Sequence, residues 1–192
     1  MLSRIISRLV WSQLTLFGFL GVCVVLMPHF LLEHNEGGVS NYGVHLRTVA
    51  PYSLAFLLCA GLVLQAARLT PPAARTLTRL RSVLYAYAGL LLVVLATTYP
   101  YKLNAVFTDL HDLAAILSFW FEVAVSGWLF LVGRRGLIAA GLLAAQATGF
   151  CLGSMTFIGT IHLLFIAQMV SGLAFGLLLI RTARELLHER VP

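Results

Sequence analysis

The segment DLHDLAAILSFWFEVAVSGWLFLV, residues 109–132, sets the fold class of this chain. From position 113 onward it is apolar apart from Ser118, Glu122 and Ser126. At about 1.5 Å per residue, a helix of this length spans most of the ~30 Å hydrocarbon layer of a membrane. The segment therefore predicts a transmembrane helix with a few polar side chains at defined heights.

Composition extends the membrane assignment to the whole chain. Of the 192 residues, 60% are hydrophobic and 10% are charged, and the mean hydropathy is +0.93, outside the range of soluble domains. The alternating pattern of a membrane β-barrel is absent, so the apolar runs must be helices. We expect an all-α integral membrane protein, a six-transmembrane-helix bundle that forms one domain over residues 1–192. The predicted spans are 10–32, 51–69, 83–98, 113–132, 137–152 and 157–180.

Basic residues predict the orientation of this bundle. The chain has 13 Lys and Arg residues, and all but Arg47 and Lys102 fall on one predicted side. Because cytoplasmic loops are enriched in Lys and Arg, both termini are predicted to be cytoplasmic, in the cell membrane. The first apolar run is too long for a typical signal peptide and lacks a small-residue cleavage site, so it is expected to remain as a helix. The basic residues on the predicted cytoplasmic side are Arg4, Arg8, Arg68, Arg75, Arg79, Arg81, Arg134, Arg135, Arg181, Arg184 and Arg190.

The fourth predicted helix carries a polar stripe. His111, Ser118, Glu122 and Ser126 recur at spacings of seven, four and four residues, which places them along one helix face. Glu122 lies roughly 16 Å below His111, near the bilayer midplane, where an ionisable group facing lipid costs a few kcal/mol. It is therefore expected to face the bundle interior and to be protonated or partnered. Its role is either a helix-to-helix hydrogen bond or a proton-relay or headgroup site. The candidate partners are the intramembrane amides Gln13, Gln146 and Gln168.

Histidines and carboxylates collect at the predicted outer face. Imidazole nitrogen and carboxylate oxygen suit zinc, and imidazole also suits copper, so His111, Asp112 and His162 are candidate metal ligands. Their spacing matches no recognised metal motif, and interfacial packing of histidine is the alternative. No serine-centred nucleophile motif is present in the chain. The predicted outer-face pocket comprises His34, Glu36, His45, Asp109, Asp112 and His162.

Small residues predict two further features. Gly37, Gly38, Asn41 and Gly43 are turn formers, which would let the first outer loop fold back over the bundle, so that its carboxylates and histidines meet the start of the fourth helix. Small residues at helical spacing in the last two spans would let helix backbones approach closely. Those residues are Ala145, Gly149 and Gly153 in one span, and Gly172 and Gly176 in the other.

Two segments carry a resemblance to a known family. GGVSNYG (37–43), directly before the second helix, and YPYKLNAVFTDLHDLAAILSF (99–119) resemble the domain-of-unknown-function 998 membrane family, with the FRAG/DRAM/SFK-type six-helix proteins as distant relatives. The last helix departs from the pattern at Ile161 and His162. The relatives are associated with lipid remodelling, lipid asymmetry and lysosomal membranes, so the resemblance implies a lipid-related role. The matching positions are Ser40, Tyr42, Gly43, Pro100, His111 and Phe119.

These observations leave three classes of function open. The favoured class is a non-enzymatic or lipid-handling membrane protein, with membrane lipid as its partner. The second is a membrane-embedded metal-dependent hydrolase or metalloenzyme that uses the outer-face His and Asp residues. The third is a small transporter or an accessory subunit that binds a partner membrane protein. The net charge of +6 follows from topology and favours anionic lipid headgroups, so no nucleic-acid partner is expected.

Overall fold

Six α-helices and one short 3-10 helix account for most of the computed structural model, which describes residues 2–29, 38–99 and 103–188. No β-strand occurs within these ranges. The 3-10 helix spans Val39–Val44 and precedes α2. In chain order the α-helices are α1 (Leu2–Leu26), α2 (Val49–Leu69), α3 (Arg75–Thr98), α4 (Ala105–Val132), α5 (Leu137–Phe157) and α6 (Leu164–His188).

The six α-helices confirm the predicted number of long apolar helices, and each is long and apolar enough to cross a membrane. Their boundaries differ from the predicted spans. α1 begins at Leu2, ahead of the predicted start at residue 10. α6 begins at Leu164, because Phe157 still belongs to α5 and the chain then turns at Gly159, where φ is +75°. Hydropathy marks where a helix is apolar, whereas these helices continue into polar ends. Positions 30–32 of the first predicted span lie outside the described residues.

Five of the helices form a ring, and the remaining one, α5, packs on the outside of it. α1 packs against α2 and α6, α2 packs against α3, α3 against α4, and α4 against α6. These contacts close a ring of α1, α2, α3, α4 and α6. α5 makes its main contacts with α4 and α6. Residues lining the ring interior therefore come from five different helices.

Glycines set the closest approaches between helices. A Cβ atom built on Gly149 of α5 would lie 2.8 Å from both the carbonyl oxygen of Ala167 and the backbone nitrogen of Ser171 in α6. A Cβ on Gly176 of α6 would overlap the side chain of Gln13 in α1. α6 is thus held close to α5 on one side and to α1 on the other, as small-residue packing predicts.

The two ends of the bundle differ in chemistry. We call one the basic end: there the Arg134 N–H donates to Glu185 Oε2 at 2.7 Å, and Arg181 Nε donates to Glu185 Oε1 at 2.9 Å. Arg181 Nη2 also donates to the carbonyl oxygen of Arg134 at 3.2 Å. These bonds fasten the α4–α5 connection to α6. We call the opposite end, which the 3-10 helix covers, the capped end.

Candidate functional site

The 3-10 helix forms a buried cap on the bundle. Tyr42 is 1% exposed and packs edge-on against Phe165 of α6, with ring centroids 5.8 Å apart. Burial raises the pKa of the Tyr42 phenol, so it is neutral at physiological pH. Thr48 Oγ1 donates to the carbonyl oxygen of Tyr42 at 2.7 Å, which ties the cap to the start of α2. A Cβ on Gly43 would overlap the side chains of Thr98 and Tyr52, so only glycine fits there.

His111 connects the cap to the bundle. Its Nε2 lies 2.8 Å from Ser40 Oγ in the cap. Its Nδ1 lies 3.2 Å from Thr97 Oγ1 and 3.4 Å from Thr98 Oγ1 at the end of α3. In the described residues the first loop thus meets α4 through the hydroxyl of Ser40, whereas the prediction named the carboxylates and histidines of the loop. The loop residues His34 and Glu36, and Gly37 among the predicted turn formers, lie outside the described residues.

Beneath the cap lies an internal space, which we call the inner cavity. Its volume is about 100 Å³, and side chains of α1, α2, α3, α4, α6 and the cap line it. Leucine, phenylalanine and valine make up most of its wall, with Tyr87 on α3. The polar side chains of these elements that face it are Ser40 of the cap, Ser118 and Glu122 of α4, and Gln168 of α6.

A chain of hydrogen bonds joins Glu122 to two other helices. Ser171 Oγ on α6 donates to Glu122 Oε2 at 3.1 Å, and Gln146 Nε2 on α5 donates to Ser171 Oγ at 2.8 Å. Of the three predicted amide partners, Gln146 therefore reaches Glu122 through Ser171. Gln168 lines the same cavity, but its Oε1 accepts from the Val39 N–H of the cap at 2.7 Å. Gln13 packs instead against Gly176.

All four residues of the predicted stripe face the interior. His111 and Ser126 are buried, whereas Ser118 and Glu122 are partly buried and line the inner cavity. Ser118 Oγ donates to the carbonyl oxygen of Ala114 in its own helix at 2.8 Å. The stripe is therefore a continuous inward face of α4, and Glu122 is its link to α5 and α6.

A second space, the cap cleft, opens beside the cap. Its volume is about 310 Å³, and its polar wall includes His111, Asp112 and His162. The predicted metal candidates therefore share one cleft. However, no group of three or more His, Cys, Asp or Glu residues within 2–29, 38–99 and 103–188 is arranged to hold a metal ion. Asp109 is exposed and His45 is partly buried, and neither of them lines the cleft.

The inner cavity and the cap cleft share three lining residues, Ser40, Ala115 and Gln168. The wall of the inner cavity is mostly apolar, whereas that of the cap cleft mixes polar and apolar side chains. The two spaces are therefore adjacent, and Glu122 lines the inner one. Sequence reasoning did not assign Ser171, Thr98 or Ala115 to a site, because no local motif marks them.

Fold and site together define a bundle of six membrane-length helices with a mostly apolar inner cavity and an adjoining cleft at its capped end. Comparison with protein-family models, curated proteins and solved structures finds no match to this chain. The arguments for function therefore rest on the geometry of its own residues.

Proposed function

We propose that this chain is a multi-pass cell-membrane protein that binds a single-chain amphiphile, of the kind found in membrane lipids. The adjacency of the two spaces supports this proposal: the mostly apolar inner cavity and the more polar cap cleft share the lining residues Ser40, Ala115 and Gln168. The apolar chain would occupy the inner cavity, and the polar head would lie in the cap cleft among His111, Asp112 and His162.

The size of the inner cavity supports binding of part of an alkyl chain. Its volume is about 100 Å³, and apolar protein cavities of about 150 Å³ bind a benzene ring. Each CH₂ group moved from water into such a site contributes about 0.8 kcal/mol. The cap cleft, with its polar groups, is large enough for a small headgroup. The lipid-related role implied by the family resemblance agrees with this proposal.

In the proposed orientation, the basic end faces the cytoplasm and the capped end faces outward. Cysteine labelling tests this. Leu46 is 93% exposed beside the cap, so a cysteine there is accessible to a reagent. Asn41, in the cap itself, is buried and therefore less suitable. With Cys151 replaced by alanine, Leu46→Cys should react with a membrane-impermeant maleimide in intact cells. Ala73→Cys, in the connection before α3, should react only after permeabilisation. The reverse pattern would invert the assignment.

Filling the junction of the two spaces tests amphiphile binding. Ala115 lines both spaces, so Ala115→Phe should reduce binding of dodecyl glycerol ether by about tenfold or more, which corresponds to about 1.4 kcal/mol. Ala124→Phe, the same change on an exposed face of α4, should leave binding unchanged. Native mass spectrometry of the purified protein, titrated with the ether, measures both. Equal binding by the two variants would contradict the proposal.

A further inference from the structure

Ser40 and His111 form a pair that amphiphile binding alone does not require. Both side chains are buried, at 6% and 4% exposure, and come from positions 71 residues apart in sequence. The 2.8 Å between Ser40 Oγ and His111 Nε2 is the distance at which a base can take the proton of a nucleophile. The absence of a local serine motif therefore does not exclude this chemistry.

The hydrogen bonds of α3 favour one of the two neutral tautomers of His111. Thr98 Oγ1 donates to the carbonyl oxygen of Val94 at 2.7 Å, and Thr97 Oγ1 donates to that of Val93 at 2.8 Å. With their protons used in this way, both hydroxyls can only accept from His111 Nδ1. Neutral His111 is thus protonated on Nδ1, and Nε2 presents its lone pair to the hydroxyl of Ser40. This tautomer is the one that a general base requires.

The position of Ser40 suits an ester-linked substrate. Ser40 lines both the inner cavity and the cap cleft, so a carbonyl carbon beside its Oγ would have its acyl chain in the inner cavity and its alcohol in the cap cleft, beside His111, Asp112 and His162. Gln168 lines both spaces as well, and because its Oε1 accepts from the cap, its Nε2 is the end that can donate. That Nε2 is the candidate group for stabilising negative charge on the carbonyl oxygen.

We infer that Ser40 and His111 are the nucleophile and general base of an acyl-transfer reaction on an ester of a long-chain acid. This inference deepens the proposed function, because it rests on binding of an amphiphile in the same two spaces. Thr97 and Thr98 are positioning residues for His111, and the substrate class is a single-chain carboxylic ester with a small alcohol group.

The reaction proceeds in two balanced steps. Ser40 Oγ forms a bond to the carbonyl carbon while its proton passes to His111 Nε2, and the ester C–O bond then breaks as the alcohol leaves with that proton. Water entering through the cap cleft then gives a proton to His111 Nε2 and attacks the acyl-serine. Ser40 recovers the proton, and the free acid is released.

A dodecyl fluorophosphonate tests the pair directly, because Ser40 Oγ would displace fluoride from phosphorus and retain the phosphonyl group. Peptide mass spectrometry of the purified protein should locate the adduct on Ser40. Ser40→Ala should abolish it, and His111→Gln should slow its formation by about 100-fold. Ser82→Ala should react as the wild type does, because Ser82 is exposed on α3, lines neither of the two spaces, and donates to the carbonyl oxygen of Thr78.

Two variants of Thr98 distinguish a role in positioning His111 from a role in folding alone. Thr98→Val keeps the shape of the side chain but removes an oxygen that accepts from His111 Nδ1, so labelling should slow by about tenfold, or about 1.4 kcal/mol. Thr98→Ser keeps the hydroxyl and should restore the rate. If Thr98 had a purely structural role, Thr98→Val and Thr98→Ser proteins with equal melting temperatures would be labelled at equal rates.

Binding of dodecyl glycerol ether, which has no ester to cleave, distinguishes failure of this inference from failure of the proposed function. Wild-type protein that binds the ether but gives no Ser40 adduct would overturn the inference alone. An adduct that forms equally fast in His111→Gln protein would also overturn it. An adduct on Ser40 without ether binding would support the nucleophile and count against the binding proposal. Melting temperatures of Ser40→Ala and His111→Gln close to that of the wild type would show that loss of the adduct is not loss of the fold.

Discussion

Replacing Gly149 with alanine should destabilise the bundle by at least about 2 kcal/mol. The added Cβ would lie 2.8 Å from backbone atoms of Ala167 and Ser171, which cannot rotate away as a side chain can. α5 would therefore have to move away from α6. That movement would also stretch the hydrogen bond from Gln146 to Ser171, which measures 2.8 Å in the native bundle.

The same helix provides the control for this prediction. A Cβ on Gly141 of α5 would meet nothing within 4 Å. Gly141→Ala should therefore be neutral or stabilise by about 0.5–1 kcal/mol, because alanine restricts the unfolded chain more than glycine does. Thermal unfolding of both variants in detergent micelles measures the difference. Similar melting temperatures would show that α5 does not depend on the close approach at Gly149.

Glu122→Leu should cost about 2 kcal/mol, whereas Glu122→Gln should change stability by less than about 0.5 kcal/mol. Leucine provides no acceptor for Ser171 Oγ, so the buried hydroxyl loses the bond that it donates and keeps only the one that it accepts from Gln146. Glutamine keeps an oxygen that accepts this bond. The two variants therefore separate the hydrogen bond from the ability of the carboxyl group to titrate.

Ser118→Ala is the matched control on the same face of α4. Its hydroxyl donates within its own helix, so its loss should have little effect on the melting temperature. Micelle unfolding should rank Glu122→Leu well below the other two variants. A Glu122→Leu protein as stable as the wild type would show that the polar stripe does not hold α4 to α5 and α6. Loss of ether binding by Glu122→Gln at an unchanged melting temperature would assign the carboxyl a role in the site itself.

The helices and the direction of the polar stripe could be predicted because both depend on local pattern. Twenty or so apolar residues predict a membrane-length helix wherever they occur, and a spacing of four residues keeps side chains on one face. The ends of the helices could not be predicted from hydropathy. Arg4 and Arg75, for example, are exposed and polar but lie within α1 and α3.

The site itself depends on contacts that no local pattern encodes. Ser171 lies in a stretch of α6 that reads as small and apolar, and only the packing of Gly149 brings it to Gln146 and Glu122. Ser40 meets His111 because the cap folds over the end of the ring. Histidine and glutamate are rare in an apolar chain, so their positions indicate candidate site residues. Serine and threonine are common in membrane helices, so their positions alone do not.

The closed ring has a consequence for the order of events during synthesis. α6, which supplies Ser171 and Gln168, is the last of the described helices to be made, and its contact with α1 joins the earliest helix to the latest. Until that contact forms, the nascent chain has a gap where the wall of the inner cavity will stand, and Glu122 lacks its Ser171 donor. Closure of the ring is therefore a long-range step that waits for α6, and a nascent chain that stops before α6 has an open ring.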